Sequence, residues 1–340
     1  MNILTLVRSY MLMACFIVLP SCSNQRSGLK EQKPQTCLDH ELGQEVECDV
    51  DVVTAPWITV WIHGTQPSFD KAPGKRLRTA LIKQAHELFY SKSGLHPINT
   101  QPKTNRHHEF ARLLQQVDPL RFPAVHFYTF GWSGDLNFDV RYQAGKNLYL
   151  DLVKLVEEFT HTHGVTPNIR LITHSHGGNV ALNLALAQAE YHKNLVVNEL
   201  VLLACPVQEK TAFLAQDQLF KKIYSLYSSL DVLQVVDPQG LYKNNTIDNG
   251  VFSKRRFPVS FDKIAQAKIR FNKRAILHIE FLSDRLVRAL PCIITKLDKW
   301  HQATTGDTQI KQICIQKDTG QACDVRCSYA HNHTNNERRH

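Results

Sequence analysis

The sequence predicts an α/β fold in which helices flank a mostly parallel, doubly wound sheet. Apolar runs typical of strands alternate along the chain with segments of helical apolar periodicity. One junction between a strand and a helix also carries a serine among small residues. The 340 residues suffice for one large domain with insertions. The composition, 43% hydrophobic and 21% charged, is that of a globular protein and argues against wholesale disorder.

Each element of the first half is predicted from its own pattern. β-branched and aromatic residues predict strands at residues 57–62 and 124–130. A helical apolar pattern follows each of them, at residues 75–90 and 140–160. The polar segment 91–108 contains prolines and is expected to be a loop.

The second half continues this alternation. A short apolar strand at residues 168–173 leads into the serine turn, and a helical stripe follows at residues 179–189. Further strands are expected at residues 200–205, 223–227 and 273–281, and a closing helix at residues 283–296. The basic, irregular stretch 244–272 interrupts the pattern and is either a lid or a surface insertion, of which we favour the insertion.

Residues 1–21 resemble a bacterial lipoprotein signal peptide. Arg8 supplies the positive charge, and residues 11–19 form a short apolar core. The segment Leu-Pro-Ser-Cys at residues 19–22 resembles a lipobox, although Pro20 departs from the usual small residue. An uncleaved anchor is the alternative, but the apolar run is too short to span a bilayer comfortably.

The lipobox resemblance implies that Cys22 becomes the lipidated first residue of the mature protein. Ser23 follows it, which by the same resemblance implies an outer-membrane address facing the periplasm. The polar residues after it are expected to be a tether, so that residues 22–55 form a tether and N-terminal segment and the domain spans residues 56–300.

Cysteine content and charge indicate the protein's surroundings. Nine cysteines are more typical of an exported than of a cytosolic protein. An odd number remains after the signal peptide and Cys22, and Cys205, in an apolar run, is expected to be a buried free thiol. The formal charge of +9 predicts mainly a solvated basic surface, with contact to anionic lipid as the second interpretation, and no compact basic and aromatic module suggests nucleic-acid binding.

Residues 301–340 are predicted to be a polar C-terminal tail that contains cysteine and histidine. Cys323, Cys327, His331 and His333 have a spacing that a metal would accept, but it is not a standard zinc pattern. A tail that is tied by disulfides or frayed is the favoured interpretation.

The segment Thr-His-Ser-His-Gly-Gly at residues 173–178 predicts a nucleophile elbow. A serine in such a turn has its hydroxyl pushed out of the fold, beside the N–H groups that begin a helix. We therefore expect Ser175 to be the nucleophile of an acyl-transfer enzyme. The alternative is a Ser-Gly turn without chemistry. A serine nucleophile also needs a base, an orienting carboxylate and an oxyanion hole.

The acid and the base are expected after Ser175, each beyond a strand end. Asp231 follows the predicted strand 223–227 and is preferred to Asp237, which precedes a proline. His278 lies near the end of the last predicted strand and is preferred to His301, which comes after the closing helix.

Two backbone N–H groups are expected to form the oxyanion hole, those of Thr65 and His176. Thr65 follows a glycine after the first strong strand, whereas His176 follows the nucleophile. His63 is interpreted as a supporting residue rather than a base. His174 and His176 would also permit a metal pair, which is disfavoured because the elbow explains both residues.

With these residues assigned, residues 56–299 resemble the α/β-hydrolase superfamily in its lipase- and esterase-like branch, including a group of little-characterised bacterial hydrolases. The resemblance is carried by Val-Trp-Ile-His-Gly-Thr at residues 60–65, the elbow, Phe-Gly-Trp-Ser-Gly at residues 130–134 and the segment 278–291. Thr173 departs from the family pattern, because it replaces the first glycine of Gly-x-Ser-x-Gly.

The resemblance implies a serine hydrolase that cleaves carboxylic esters through an acyl-enzyme and needs no cofactor or metal. The lipid-anchored address favours a lipid or acyl ester as substrate and the bacterial membrane as partner. Two alternatives remain open: a non-catalytic envelope lipoprotein that uses the scaffold as a binding module, and an amidase or thioesterase with the same triad. A metal-dependent enzyme is the least favoured interpretation.

Overall fold

The computed structural model describes residues 37–38, 45–46, 55–65, 91–231, 256–257, 263–272, 274–303, 311–315 and 325–329. The chain divides into two compact units, Met1–Ala55 and Pro56–His340. In the first unit, strands β1 (Cys37–Leu38) and β2 (Glu45–Val46) pair antiparallel.

The described part of the second unit contributes ten strands to one sheet. The strands are β3 (Trp57–Ile62), β4 (Gly94–Pro97), β5 (Phe127–Gly131), β6 (Asn168–His174), β7 (Glu199–Leu203), β8 (Ile223–Tyr227), β9 (Ile264–Phe271), β10 (Arg274–Ala275), β11 (Lys311–Ile315) and β12 (Val325–Tyr329). The helices are α1 (Arg106–Val117), α2 (Phe138–His163), α3 (Gly177–Leu182), α4 (Leu184–Tyr191), α5 (Glu209–Ala212) and α6 (Asp284–Ala303).

The sheet runs in the order β4-β5-β3-β6-β7-β8-β9-β11-β12, with β10 folded back on β9. Neighbours from β5 to β11 are parallel, whereas β4, β10 and β12 pair antiparallel. Thr173 is level with both Ile62 on β3 and Leu202 on β7. The loops that follow β3, β6 and β7 therefore emerge side by side at the carboxyl edge, where open α/β sheets place their sites.

Helices cover both faces of the sheet, and alternation along each strand supplies both cores. Ile58, Val60 and Ile62 of β3 pack in the core that includes α2, α3 and α4. Trp61 packs in the opposite core, with residues of α1 and α6. All four side chains are at most 2% exposed. This layering confirms the predicted doubly wound α/β class.

The prediction of a loop at residues 91–108 was wrong. The segment contains β4, a 3-10 turn at Ile98–Thr100 and the start of α1. β4 is ordered by pairing with β5, where Leu95 lies opposite Phe130. Asn105 begins α1 by accepting a hydrogen bond from the His107 N–H at 2.8 Å. The four residues of β4 carry no strand-like alternation of apolar and polar residues. Their extended conformation depends on hydrogen bonds to β5, which is distant in sequence.

The prediction of a last strand at residues 273–281 was also wrong. The parallel strand is β9, which lies inside the stretch 244–272 interpreted as an insertion, and it pairs with β8 and β11. The rest of that stretch is described only at residues 256–257, so the choice between lid and insertion stays a prediction.

The predicted helix 179–189 is divided at Asn183 into α3 and α4. The Asn183 side chain donates to the Asn179 carbonyl at 2.8 Å, a local bond that competes with the helical ladder. Gly145 of α2 crosses here so closely that a Cβ would lie 2.7 Å from the Asn183 Cβ. The elbow helix is thus pressed against the long helix behind it.

The sheet continues beyond residue 300, where the domain was predicted to end. β11 and β12, from the predicted tail, pair with each other, and β11 also pairs with β9. The predicted helix 75–90, the signal peptide 1–21 and Cys22 lie outside the described residues. Within the described residues, no helix is long and apolar enough to cross a membrane.

Candidate active site

Ser175 occupies a strained turn directly after β6. Its φ is +52°, a left-handed conformation that is uncommon for a residue with a side chain and that recurs at functional sites. Its N–H donates to the Leu203 carbonyl at 2.9 Å, and its carbonyl accepts from the Gly178 N–H at 3.0 Å. The backbone around Ser175 is therefore held from both sides, and the residue is 7% exposed.

Two glycines let the loop after β3 meet this turn. A Cβ on Gly64 would lie 2.7 Å from the Ser175 Cβ, and a Cβ on Gly177 would lie 2.5 Å from the His63 carbonyl oxygen. Real side chains do not fit at such distances, so both positions require glycine.

Thr173, in place of the family's first glycine, is buried and donates its hydroxyl to the Val201 carbonyl at 3.2 Å. Its polar atom therefore has a partner inside the sheet.

Asp231 and His278 form a hydrogen-bonded pair at the same edge. Asp231 follows β8, its side chain is fully buried, and both its oxygens lie 2.9 Å from His278 Nδ1. Because a carboxylate only accepts, Nδ1 carries the proton in this arrangement and Nε2 is left as the basic nitrogen. The structure thus brings together the two residues that were preferred over Asp237 and His301.

The chain around His278 is shaped by side-chain hydrogen bonds rather than by a strand. His278 begins a 3-10 turn, His278–Leu282. The Glu280 carboxylate accepts from the Leu277 N–H at 2.7 Å and pairs with Arg274. Ser228, at the end of β8, accepts from the Ile276 N–H at 2.9 Å and so joins the Asp231 loop to the His278 segment.

His174 links the elbow to His278. Its Nε2 donates to the His278 main-chain carbonyl at 3.2 Å, and the two ring centroids are 4.6 Å apart. Burial, with a smaller contribution from His278, lowers the pKa of His174 well below its ordinary value, so this ring is neutral. No hydrogen bond joins the Ser175 hydroxyl to the His278 ring within the described residues. Bonds of this kind often form only with substrate in place.

The loop after β3 is held by His63 and Trp132. Trp132 donates its backbone N–H to His63 Nε2 at 3.2 Å and its indole N–H to the His63 carbonyl at 2.9 Å. His63 therefore carries its proton on Nδ1, which donates to the Gly64 carbonyl at 2.7 Å. His63 is a supporting residue, in agreement with the sequence-based interpretation, and spacing alone did not reveal its bonds to Trp132.

The two predicted oxyanion donors lie on the two segments that meet at Ser175, one on the loop after β3 and the other on the elbow. Thr65 ends the described part of the loop after β3, and His176 precedes α3 and is 4% exposed. His176 is also in contact with Asn179, whose side-chain nitrogen lies 3.3 Å from His176 Nδ1. The roles of both N–H groups stay predictions.

Acid is expected to destabilise the protein through His63. Burial lowers the pKa of His63 from 6.5 to about 4 in the folded state. Between these pH values the unfolded chain binds a proton that the folded chain does not, so stability falls as the pH is lowered from 6.5 towards 4. At 1.36 kcal/mol per pKa unit, the loss through this residue is about 3 kcal/mol.

The measurement is the free energy of unfolding in urea across that pH range, for the wild type and for His63→Gln. The glutamine does not titrate, so the variant is expected to lose less stability on acidification. Other groups titrate in both proteins and largely cancel in the difference, since His63 is only the smallest of the causes that lower the pKa of His174. The prediction would be contradicted if the free energy of unfolding changed with pH by the same amount in the two proteins.

Some of the other predicted site residues lie outside the part of the chain that the structure describes. Cys22 and Asp237 lie outside the described residues, and His301 lies in α6 with its side chain not described. No group of three metal-ligating side chains occurs within the described residues. Cys205 is a buried thiol outside any disulfide, as expected, and is 3% exposed. Cys292 is disulfide-bonded.

The strand order and the elbow after β6 define the class: this chain has the α/β-hydrolase fold, with a mostly parallel sheet between helices. No protein-family model matches the chain, and no curated protein is significantly similar to it. Among solved structures, it is similar to an esterase of Pyrobaculum calidifontis, with 11% identity, a TM-score of 0.30 and coverage of 93% of this chain and 84% of that chain. It is also similar to carboxyl esterase 2 of the mycorrhizal fungus Tuber melanosporum, with 10% identity, a TM-score of 0.33 and coverage of 91% and 87%.

Proposed function

We propose that this protein is a serine hydrolase that cleaves carboxylic esters through Ser175, His278 and Asp231. The observation that carries the proposal is the buried Asp231 carboxylate, bonded to His278 Nδ1 at the sheet edge that also holds the strained Ser175. An acid, a base and a nucleophile on three separate loops of one edge are what acyl transfer requires.

In the proposed reaction, His278 Nε2 takes the proton of the Ser175 hydroxyl while the oxygen attacks the ester carbonyl. The N–H groups of Thr65 and His176 stabilise the negative charge on the carbonyl oxygen. The intermediate collapses, the alcohol leaves with the proton from His278, and an acyl-Ser175 ester remains. Water, deprotonated by His278, then releases the carboxylic acid and restores the serine. Asp231 holds the imidazole tautomer throughout.

The proposed substrate class is a lipid or other acyl ester. Several apolar side chains are exposed on the segments that follow the strands at the carboxyl edge, namely Leu136, Leu230 and Leu277. Leu230 and Leu277 directly precede Asp231 and His278. Apolar residues exposed beside a site suit an apolar ligand. The chain also carries a formal charge of +9, which suits contact with anionic lipid.

We further propose that the protein is a lipid-anchored envelope protein, attached through Cys22. The lipobox-like segment at residues 19–22 and the polar tether after it support this. The disulfide at Cys292 is consistent with an oxidising compartment such as the periplasm. A diacylated Cys22 would hold the protein at the membrane surface.

The test is labelling of the purified full-length protein, in detergent, with a fluorescent fluorophosphonate. We expect the wild type to be labelled, Ser175→Ala to lose all labelling, and His278→Ala to label far more slowly because its serine is not activated. Ser133→Ala is the matched control, since Ser133 is an exposed serine on the loop after β5, and it should label like the wild type.

A folded wild type that is not labelled would refute the proposal and favour the binding-module alternative. Labelling without hydrolysis of p-nitrophenyl esters would instead favour an amidase or thioesterase, which a panel of amide and thioester substrates would identify.

A further inference from the structure

We propose that His174 is a positioning residue for the base, because its ring fixes the main chain of His278 relative to the nucleophile elbow. This inference rests on the proposed function and deepens it. His174 is not assigned a contact with the substrate; it acts on the reaction through His278.

The first observation is how the chain around His278 is held. His278 lies in a 3-10 turn rather than in a strand, so strand pairing does not orient it. Side chains bind main-chain groups of three consecutive residues instead: Ser228 accepts from the Ile276 N–H at 2.9 Å, Glu280 accepts from the Leu277 N–H at 2.7 Å, and His174 donates to the His278 carbonyl at 3.2 Å. Of these three side chains, only that of His174 belongs to the elbow. Its bond therefore connects the base directly to the segment of the nucleophile.

The second observation is that the His174 backbone is fixed. His174 is the last residue of β6, where it is level with Leu203 of β7. The next residue, Ser175, donates its N–H to the Leu203 carbonyl at 2.9 Å. The sheet thus holds the backbone of His174 and of the nucleophile at the same place, and the His174 ring extends from this fixed point to His278.

The third observation is that the His174 ring is packed on two sides. Its centroid lies 4.6 Å from that of the His278 ring. On the loop after β3, a Cβ on Gly64 would lie 3.2 Å from His174 Nδ1. The residue is 7% exposed. The ring therefore lies between the loop after β3 and the base, with little room to rotate.

The charge state of His174 suits this role. A carbonyl only accepts hydrogen bonds, so the proton of the ring is on Nε2. Burial and, to a smaller extent, His278 lower the pKa of His174 well below its ordinary value, and His107 and His63 add still smaller effects. In the proposed reaction His278 becomes positively charged. A second positive charge beside it would oppose that proton transfer, whereas a neutral ring does not.

These observations give the His174 hydrogen bond a function. The Ser175 hydroxyl and the His278 ring are not hydrogen-bonded to each other within the described residues, so no bond between these two groups aligns them in the free protein. The bond from His174 to the His278 carbonyl provides this alignment before the substrate arrives. Misplacing a catalytic group by about 1 Å can cost about 10²-fold in rate.

The test compares His174→Leu with His174→Gln by hydrolysis of p-nitrophenyl butyrate. Leucine branches at Cγ as histidine does but donates no hydrogen bond, whereas glutamine is neutral and carries an N–H donor near the position of Nε2. We expect kcat of His174→Leu to fall by about 10²-fold with KM unchanged, because the base is misplaced while the ester still binds. His174→Gln is expected to restore most of this loss.

His96→Leu is the matched control. His96 Nε2 also donates to a main-chain carbonyl, that of Ser93, at 2.9 Å, but this bond is exposed and involves the edge strand β4. The control should keep the wild-type kcat. If leucine at position 174 prevents folding, His174→Met takes its place in the comparison, because the flexible methionine side chain adapts to its packing.

A double variant separates positioning from a merely structural role. If His174 acts through His278, His174→Leu slows fluorophosphonate labelling of the otherwise wild-type protein but does not slow it further in His278→Ala. A His174 ring that only supported the shape of the elbow would slow labelling equally in both backgrounds. The free energy of unfolding in urea is measured for every variant, so that rates are compared between folded proteins.

Two results would overturn the inference while leaving the proposed function intact: an unchanged kcat in the folded His174→Leu variant, or an equal slowing of labelling in the two backgrounds. Failure of the proposed function is seen separately, because the wild type would then neither hydrolyse the ester nor be labelled at Ser175 by the fluorophosphonate.

Discussion

Replacing Asp231 by asparagine is expected to lower kcat/KM for p-nitrophenyl butyrate by about 10⁴-fold, the loss that follows when the orienting carboxylate of a serine triad becomes an amide. Both Asp231 oxygens lie 2.9 Å from His278 Nδ1, and the side chain is fully buried. The asparagine NH₂ group would donate to Nδ1 and so favour the tautomer with the proton on Nε2. The base that should receive the serine proton would then already be protonated.

Asp217→Asn is the control for this substitution. The Asp217 carboxylate accepts from the Leu219 N–H at 2.8 Å in a turn before β8, and it has no contact with His278. The control is expected to keep the wild-type kcat/KM. If Asp231→Asn also kept it while remaining folded, the orienting carboxylate would have to be another residue, and Asp237 would be the first to substitute.

Replacing Glu199 by glutamine is expected to destabilise the fold by about 3–5 kcal/mol, as found when one partner of a buried ion pair is removed. Arg170 Nε lies 2.5 Å from Glu199 Oε2, and the two side chains are only 1% and 7% exposed. The Arg170 guanidinium also donates to the Arg121 carbonyl at 2.8 Å and lies over the Trp57 ring, 4.2 Å from its centroid. Glutamine would leave this charge buried without a counter-charge.

The measurement is the free energy of unfolding in urea, with Glu158→Gln as the control. Glu158 pairs with Lys154 at 3.7 Å on the surface of α2, where both side chains are more than 60% exposed. Such a pair contributes about 0–1 kcal/mol, so the control should unfold close to the wild type. If the two substitutions lowered the free energy of unfolding equally, burial of the Arg170–Glu199 pair would not determine how much the pair contributes to stability.

Glu199→Gln should also separate stability from activity. Glu199 is the first residue of β7, and Arg170 lies near the start of β6, so the pair is at the amino edge of the sheet. The site lies at the carboxyl edge. The folded fraction of the variant is therefore expected to retain the wild-type kcat, whereas Asp231→Asn should lose kcat and remain folded.

Strands with strong local patterns were predicted well. Trp57–Ile62 and Ile223–Tyr227 have the predicted bounds, because β-branched and aromatic residues favour extended backbone wherever they lie in the sheet. β4 and β9 were missed for the opposite reason. β4 is a four-residue edge strand that exists through its pairing with β5, and β9 lies in a basic stretch that looked irregular.

The error at residues 273–281 has a specific cause. The alternation of apolar and polar residues there has the period of a strand, and local pattern cannot distinguish it from a turn. The turn is made by Glu280, which binds the Leu277 N–H and pairs with Arg274, and by Ser228, which holds the Ile276 N–H. Ser228 is far away in sequence, so its contribution is invisible until the fold is known.

The sequence by itself determined the α/β class, the alternation of strands and helices, and the elbow serine. Each depends on residues close together in the chain, whose size and periodicity restrict the backbone locally. Only the tertiary structure decided that Asp231 meets His278 across 47 residues, that Gly64 touches Ser175, and that the Thr65 hydroxyl is buried without a partner. These contacts depend on the order of the strands in the sheet, since that order determines which loops meet at the carboxyl edge.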